Sequence, residues 1–482
     1  MSTFLNKNIF KLTFLFVILT ELFSFFGWLL PEFGYLCFFA IMLLTLVLSI
    51  KRLEYGIYIL LAELFIGSKG YLFSLDIGDS AISLRMGLFL IVMAVFFMNV
   101  ILKRRPDRAT MKDLFNKKLK QILRRHEVSW LLRMTSLWLV IIWGFVWGLI
   151  QGNNFGNVFL DFNNWVYFLL VFPIFQIVKN NDNFVKNILS VLTASVVWIG
   201  IKSLVLLYIF SHELSWALPE AYKWVRDTLV GEITFAGNGF WRVFIQSQVY
   251  SLILFFILLG IKDIKRFFFH HILLLISLIT IILSWSRSFW VGLVVGVGIY
   301  LIYLIIQKIK FLSFLKISGK LILITLISFG LILCVIYLPP KADMGNLADI
   351  FGKRLTQGEA ASSSRINQLK PLIKEIGEHP VIGSGFGTTI TYLSDDPRIL
   401  GDYTTYAFEW GYLDMILKFG ILGTLIYLIL IFKILKKLFN INLGFALALI
   451  ALLIVNIFSP YLNHPLGIGF VILCSSIVYA KE

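Results

Sequence analysis

Three arginines are the residues of this sequence whose type and placing best suit binding chemistry. Arg242 and Arg287 lie at the ends of apolar runs, and Arg365 begins an amphipathic one. A guanidinium is permanently charged, and its fork of N–H groups suits a diphosphate or another multivalent anion. The plainer interpretation of each arginine alone is a side chain that reaches lipid headgroups. Arg287 fits that interpretation least, because a tight apolar corner offers it little water.

Glu409 is the matching candidate for proton transfer. It lies just before an apolar run that continues to Gly420-Ile-Leu-Gly423. A carboxylate at this place can act as a general base, or it can cap the positive end of a helix. The local pattern by itself favours the cap.

A glycine-rich turn follows His379-Pro380 and contains Gly383, Gly385 and Gly387. Its spacing differs from that of a dinucleotide fingerprint, and no strand pattern precedes it. A histidine before proline is more often structural than catalytic. The three cysteines have no ligand spacing, so the sequence predicts no metal site, and no cofactor is expected.

The elements that must position these residues are membrane helices. Of the 482 residues, 59% are hydrophobic, and 46 are Phe. The apolar runs are continuous and about 20 residues long, which indicates helices and not barrel strands. We therefore predict an all-α, polytopic integral membrane protein. It has about 14 transmembrane helices and one large, partly helical extracytoplasmic loop.

The net charge of +16 predicts the orientation of these helices. Placing both termini in the cytoplasm puts every dense Lys/Arg cluster on the inner side, as the positive-inside rule requires. Because this rule accounts for the charge, we expect no nucleic-acid partner. The clusters are 51–52, 103–133, 179–186, 262–266, 308–320, 433–437 and Lys481.

The predicted spans divide the chain into four segments. These are N-terminal helices (1–210), core helices with the outward arginines (211–338), the extracytoplasmic loop (339–411) and C-terminal helices (412–482). Within the loop, Arg365 is predicted to open a helix with Ser362 to Ser364 as its N-caps. The spans are placed near 10–30, 33–50, 56–67, 86–102, 134–151, 164–178, 186–210, 243–261, 267–286, 289–306, 321–338, 412–432, 442–459 and 464–480.

Three ionisable residues lie inside predicted spans. Charged groups at such places are functional candidates, or they form ion pairs between helices. For Glu21 and Glu63 we favour the ion pair, and for Lys202 both interpretations stay open.

The order of these motifs resembles the O-antigen ligase and polymerase superfamily, integral membrane glycosyltransferases that share a Wzy-C-type domain. The resemblance extends from Arg242 to Phe432. It rests on Ser284-x-Ser-Arg287-Ser-x-Trp290-x-Gly292, on Arg365 leading a helix to His379-Pro-x-x-Gly383-x-Gly385-x-Gly387, and on Gly420-Ile-Leu-Gly423. The first 200 residues match only as a set of spans.

One departure bears on the activity. Where the ligases carry a histidine-asparagine pair before the last glycine turn, this sequence has Glu409-Trp410. The difference favours a polymerase over a ligase and makes Glu409 the candidate base.

The resemblance implies a metal-independent glycosyltransferase of the GT-C type in the cytoplasmic membrane. Its active site would face the periplasm or cell exterior. Donor and acceptor would be polyprenyl-pyrophosphate-linked oligosaccharides, with membrane lipid, a chain-length regulator and a flippase as further partners. Glu409 would be the catalytic base. Arg242, Arg287 and Arg365 would bind the pyrophosphate and stabilise it as it departs, which makes Arg287 and Arg365 catalytic residues as well. The substrate-binding loop would contain His379, Gly383, Gly385, Tyr403 and Tyr406.

Two other functions are alternatives to the polymerase. A ligase would move the same glycan onto a lipid core or a protein. A transporter or flippase would move the lipid-linked sugar, and it should show charged or broken helices around a midplane cavity.

Overall fold

The computed structural model describes residues 5–77, 80–102, 125–237, 240–261, 267–339, 360–395 and 399–481. Its helices are α1 (Lys7–Leu29), α2 (Pro31–Lys51), α3 (Leu53–Ile66), α4 (Leu84–Leu102), α5 (Arg125–Ile150), α6 (Phe155–Val166), α7 (Val171–Val178), α8 (Phe184–Ser211), α9 (Leu218–Asp227), α10 (Val249–Leu259), α11 (Phe267–Leu283), α12 (Arg287–Ile306), α13 (Phe311–Tyr337), α14 (Ala360–Glu378), α15 (Gly411–Ile441), α16 (Leu443–Phe458) and α17 (Pro465–Lys481). Short 3-10 turns cover Tyr167–Leu170 and Gln246–Gln248.

Within the described residues, three antiparallel hairpins accompany the helices. They are β1 (Ser74–Ile77) with β2 (Ser80–Ser83), β3 (Gly231–Gly237) with β4 (Phe240–Ile245), and β5 (Ile390–Ser394) with β6 (Gly401–Thr405). Each hairpin joins segments that are neighbours in sequence, so they leave the helical fold class unchanged.

The predicted class is confirmed: this is a helical membrane protein. Eight of the described helices are long and apolar enough to cross a bilayer, and five shorter apolar helices accompany them. The short span predicted at 56–67 corresponds to α3, a helix of 14 residues. The predicted total of spans and their orientation stay predictions.

Two predicted boundaries are wrong. The span expected at 243–261 begins only at Val249, because 240–245 pairs with β3 as a strand. Five of its six residues are apolar, so composition alone does not distinguish this strand from the start of a membrane helix, whereas the hydrogen bonds of the hairpin do. Ser362 to Ser364 are not N-caps, because they lie inside α14 after its first residue, Ala360.

The chain forms two compact units. The first contains 1–93, 173–357 and 438–455, and the second contains 94–172, 358–437 and 456–482. In the first unit α8 is central: it contacts α1, α3, α11 and α13, and most of its apolar window is buried. Because α8 is buried in this way, a charged residue on it needs a partner.

The intramembrane charges of the first unit form ion pairs between helices. The Lys202 ammonium on α8 lies 2.6 Å from the Glu21 carboxylate on α1. The Arg85 guanidinium on α4 lies 2.8 Å from the Glu63 carboxylate on α3. All four side chains are at least 95% buried. The ion-pair interpretation of both glutamates is therefore confirmed, and Lys202 is the partner of one of them.

Candidate functional site

The structure places the predicted base in contact with one of the predicted arginines. The guanidinium of Arg365, on α14, forms an ion pair with the carboxylate of Glu409, two residues before α15 begins. Their side chains are 35% and 43% exposed, while the two contacting atoms, Nε of Arg365 and Oε2 of Glu409, are themselves covered. Both residues belong to the second unit.

Contacts of the neighbouring residues hold these two segments together. The indole N–H of Trp410 donates to the backbone carbonyl of Arg365 over 2.9 Å. The backbone N–H of Glu409 points to the side-chain carbonyl of Gln368 at 3.5 Å, the long end of a hydrogen bond. The position of Glu409 relative to α14 therefore depends on more than its own ion pair.

A small apolar core explains why α14 lies beside the start of α15. Leu372, on α14, is fully buried against Ile390, Phe408 and Leu417. The helix is amphipathic, with Leu372 and Ile376 one turn apart on the face that packs. Helix α14 continues through Pro371, so the proline leaves this face intact.

The other two predicted arginines share one corner of the first unit. Arg287 is the first residue of α12, directly after the corner that starts at Ser284. Arg242, on β4, donates from Nε to the Ser284 carbonyl over 3.1 Å. Its guanidinium lies 4.8 Å from the centre of the Phe244 ring. Two cationic side chains are thus gathered at the turn between α11 and α12.

The glycine turn after His379 is built into a break in α15. Gly420 has a φ of 69° and interrupts the helix, so the bonds that would join 421 to 417 and 422 to 418 are absent. The turn replaces them. Ser384 and Gly385 donate to the carbonyls of Leu417 and Lys418, over 2.7 and 3.2 Å.

The same turn also accepts from the other side of the break. Ile421 donates to the Pro380 carbonyl over 2.9 Å, and Leu422 donates to the Val381 carbonyl over 3.2 Å. The two lost helical bonds leave four backbone groups, and all four have a new partner in the turn, as an apolar setting requires. The two glycine motifs of the sequence are thus bonded to each other.

The glycines are needed because backbone approaches backbone here. Gly383, Gly385 and Gly387 all have φ between 75° and 82°. A Cβ on Gly385 would lie 2.3 Å from the backbone nitrogen of Gly148, on α5. Since Gly383 and Gly385 are buried in this packing, the structure places them in the framework under the site. Their predicted role in substrate binding stays a prediction.

The remaining residues of the predicted substrate loop lie directly after α14 and in or next to the β5–β6 hairpin. His379 directly follows α14, and its carbonyl accepts from the Gly383 N–H over 2.9 Å. Tyr403 is on β6, and its ring lies 6.0 Å from that of Tyr392 on β5. Tyr406 follows β6 and is partly buried.

A buried charge cluster supports the break and was missed by sequence reasoning. The Lys418 ammonium, on α15, lies 2.8 Å from the Asp161 carboxylate on α6 and 2.7 Å from Asp414. The second oxygen of Asp161 accepts from the Gly387 N–H over 2.8 Å, and Asp414 contacts Asn463. The lysine therefore links the broken helix to the glycine turn through Asp161.

The sequence did contain a signal for this cluster. Asp414 and Lys418 are charged residues four positions apart within an apolar run, a spacing that places them on one helix face. Asp161 gave no comparable signal, because it falls between the spans predicted near 134–151 and 164–178.

Comparison with known families supports the resemblance found in the sequence. Residues 272–428 match a Wzy-C-type family model described as O-antigen ligase. The match covers less than half of the chain and includes Arg287, Arg365 and Glu409, whereas Arg242 lies before it. No individual curated protein matches the chain. The match supports the O-antigen ligase and polymerase superfamily and points to a membrane enzyme of the glycosyltransferase type.

Proposed function

We propose that this protein is a membrane glycosyltransferase that polymerises oligosaccharide repeat units carried on polyprenyl diphosphate. The reaction takes place at the outer face of the cytoplasmic membrane. The observation that carries the proposal is the contact between Arg365 and Glu409. It puts an anion-binding group and a proton acceptor side by side, within the region that matches the O-antigen ligase family.

In the proposed reaction an acceptor sugar hydroxyl attacks the anomeric carbon of the donor. Its proton goes to the carboxylate of Glu409, and a new glycosidic C–O bond forms. The bond between the anomeric carbon and the diphosphate breaks, and the diphosphate leaves with the electron pair. Arg365 stabilises the negative charge that develops on this leaving group. No cofactor takes part.

Arg242 and Arg287 enter the proposal as further diphosphate ligands. Their guanidinium groups have the planar, permanently charged fork that suits the oxygens of a diphosphate. A polymerase handles two lipid diphosphates, one on the donor and one on the acceptor, so it has use for more than one such group.

The experiment is elongation by the purified protein in lipid nanodiscs, with the lipid-linked repeat unit as the only substrate. We expect a ladder of products that differ by one repeat unit. If glycan appears only after a lipid core or a protein is added, the activity is that of a ligase. If no glycan is transferred under either condition, the proposal is wrong.

Variants of Glu409 test its role in the same assay. Glu409→Gln removes the proton acceptor at nearly constant shape, and we expect a loss of at least about a hundredfold in rate. Glu409→Asp keeps the carboxylate at a shorter reach and should retain part of the activity. Glu378→Gln changes an exposed glutamate at the end of α14 and should leave the ladder unchanged. If Glu409→Gln were fully active, Glu409 would not be the base, and its role would be that of a helix cap.

A further inference from the structure

The ion pair occupies both groups that the proposed reaction needs. A carboxylate that is paired with a guanidinium is a weaker base than a free one, because the positive charge stabilises its ionised form. Likewise Arg365 cannot offer its full fork of N–H groups to a diphosphate while it is paired with Glu409. The structure therefore holds the two groups in a contact that has to change before catalysis.

The pair is suited to such a change. Both side chains are more than a third exposed, and ion pairs at such places contribute little to stability. A diphosphate carries more charge and more acceptor oxygens than one carboxylate, so it competes well for a guanidinium. The exchange involves two side chains that are partly exposed in the second unit.

The surrounding contacts keep the base in place during the exchange. The indole of Trp410 is bonded to the carbonyl of Arg365, and its ring packs on the core that contains Leu372 and Phe408. These contacts do not involve the charged ends of Arg365 or Glu409. When the ion pair opens, the backbone at Glu409 therefore stays beside α14.

We infer that the diphosphate of the donor displaces Glu409 from Arg365 and thereby frees the base. The donor is thus the activator of its own transfer, and the acceptor hydroxyl is deprotonated only after a donor has bound. This inference rests on the proposed role of Arg365 as a diphosphate ligand. It adds that Arg365 is shared in turn by two anions, one from the protein and one from the substrate.

The test is a double-mutant cycle on binding, and it needs no catalytic activity. Undecaprenyl diphosphate without sugar is titrated into the full-length protein in neutral phosphatidylcholine nanodiscs. If Glu409 competes with the diphosphate for Arg365, Glu409→Gln removes the competitor. We expect its Kd to fall about two- to fivefold, the range that an exposed ion pair corresponds to.

The Arg365→Ala background separates competition from a general effect of charge. There, Glu409→Gln has no arginine to release, so its effect on the Kd should vanish. Glu378→Gln is the matched control for net charge. It removes a glutamate about 20 Å along the axis of α14 from Arg365, beyond the screening length of about 8 Å at physiological salt. Its Kd should equal that of the wild type.

Three results would overturn the inference: an unchanged or weaker Kd for Glu409→Gln, an equal gain in the Arg365→Ala background, or an equal gain from Glu378→Gln. Melting temperatures of all variants verify folding, and Arg365→Gln replaces Arg365→Ala if the latter fails to fold. Failure of the proposed function would show in a different measurement, because it would appear as the absence of a product ladder in the elongation assay. If the ladder forms but the double-mutant cycle shows no coupling between Glu409 and Arg365, only the competition for Arg365 is rejected, and the proposed function stands.

Discussion

At the scale of residues, the site separates into groups that local sequence reveals and groups that it hides. Arg287, Arg365 and Glu409 attract notice because each is a charged residue at a boundary of an apolar run. Their contacts are another matter. The family resemblance implies one site for Glu409 and Arg365, but local sequence does not show that the two side chains contact each other. Nor does it show that Arg242 donates to the Ser284 carbonyl, in the corner before Arg287.

Among the described charged residues of the second unit, Lys418 is the one whose substitution should lower the stability of the protein most. It is 4% exposed and lies between two carboxylates, Asp161 and Asp414, that are buried to a similar degree. Lys418→Met leaves both carboxylates without their cation, so we expect a loss of about 3–5 kcal/mol of stability or a failure to accumulate in the membrane. The melting temperature in detergent measures the effect.

Two further variants make the Lys418 prediction specific. Lys433→Met changes an exposed lysine of the same helix and should melt like the wild type. Neutralising the whole cluster, with Asp161→Asn and Asp414→Asn added to Lys418→Met, should recover part of the loss. Equal melting of Lys418→Met and Lys433→Met would contradict the structural role of the cluster.

At the scale of elements, the break in α15 is the feature that organises the second unit. The helix loses two backbone hydrogen bonds at Gly420, and the turn after His379 bonds the four backbone groups that this leaves without a helical partner. The result is one hydrogen-bonded substructure formed by two segments, the turn after His379 and the break in α15. It explains why both stretches are rich in glycine.

Gly385→Ala should destabilise this hydrogen-bonded substructure. The new Cβ would meet the backbone of Gly148 at 2.3 Å, at a φ of 82° that L residues rarely adopt. The expected result is a lower melting temperature and less polymer from the same amount of protein. The matched control is Gly401→Ala, where φ is 99° but no heavy atom lies within 4 Å of the Cβ.

The control isolates the close approach from backbone strain alone. Gly401→Ala should cost about 1–2 kcal/mol, the usual penalty for a side chain at positive φ. Gly385→Ala should cost clearly more. If both variants melt at the same temperature, the turn does not depend on the approach to Gly148.

At the scale of the whole molecule, the orientation in the membrane is the prediction that most affects the proposed function. Helix α8 has 28 residues, about 42 Å, which exceeds the apolar thickness of about 30 Å. The loops before and after it should therefore lie on opposite sides. The positive-inside rule places 179–183 in the cytoplasm and 212–217 outside.

Cysteine labelling can decide this. Asn181→Cys and Glu213→Cys are made in a Cys334→Ala background, because Cys334 is exposed while the other two cysteines are buried. A maleimide that cannot cross the membrane should label Glu213→Cys in intact cells and label Asn181→Cys only after lysis. The reverse pattern would put the proposed reaction on the cytoplasmic side.

The sequence by itself determined the helical membrane class, most helix positions and the charged candidates. These properties depend on local quantities: the length of an apolar run, the spacing along a helix and the place of a charge. Only the tertiary structure decided that 240–245 is a strand, that the glycine turn fills the break at Gly420, and that Asp161 meets Lys418. Such contacts join residues far apart in the chain, and they are selected by packing and by the need to satisfy buried polar groups. The pairing of Arg365 with Glu409, on which the proposed reaction depends, belongs to that second kind.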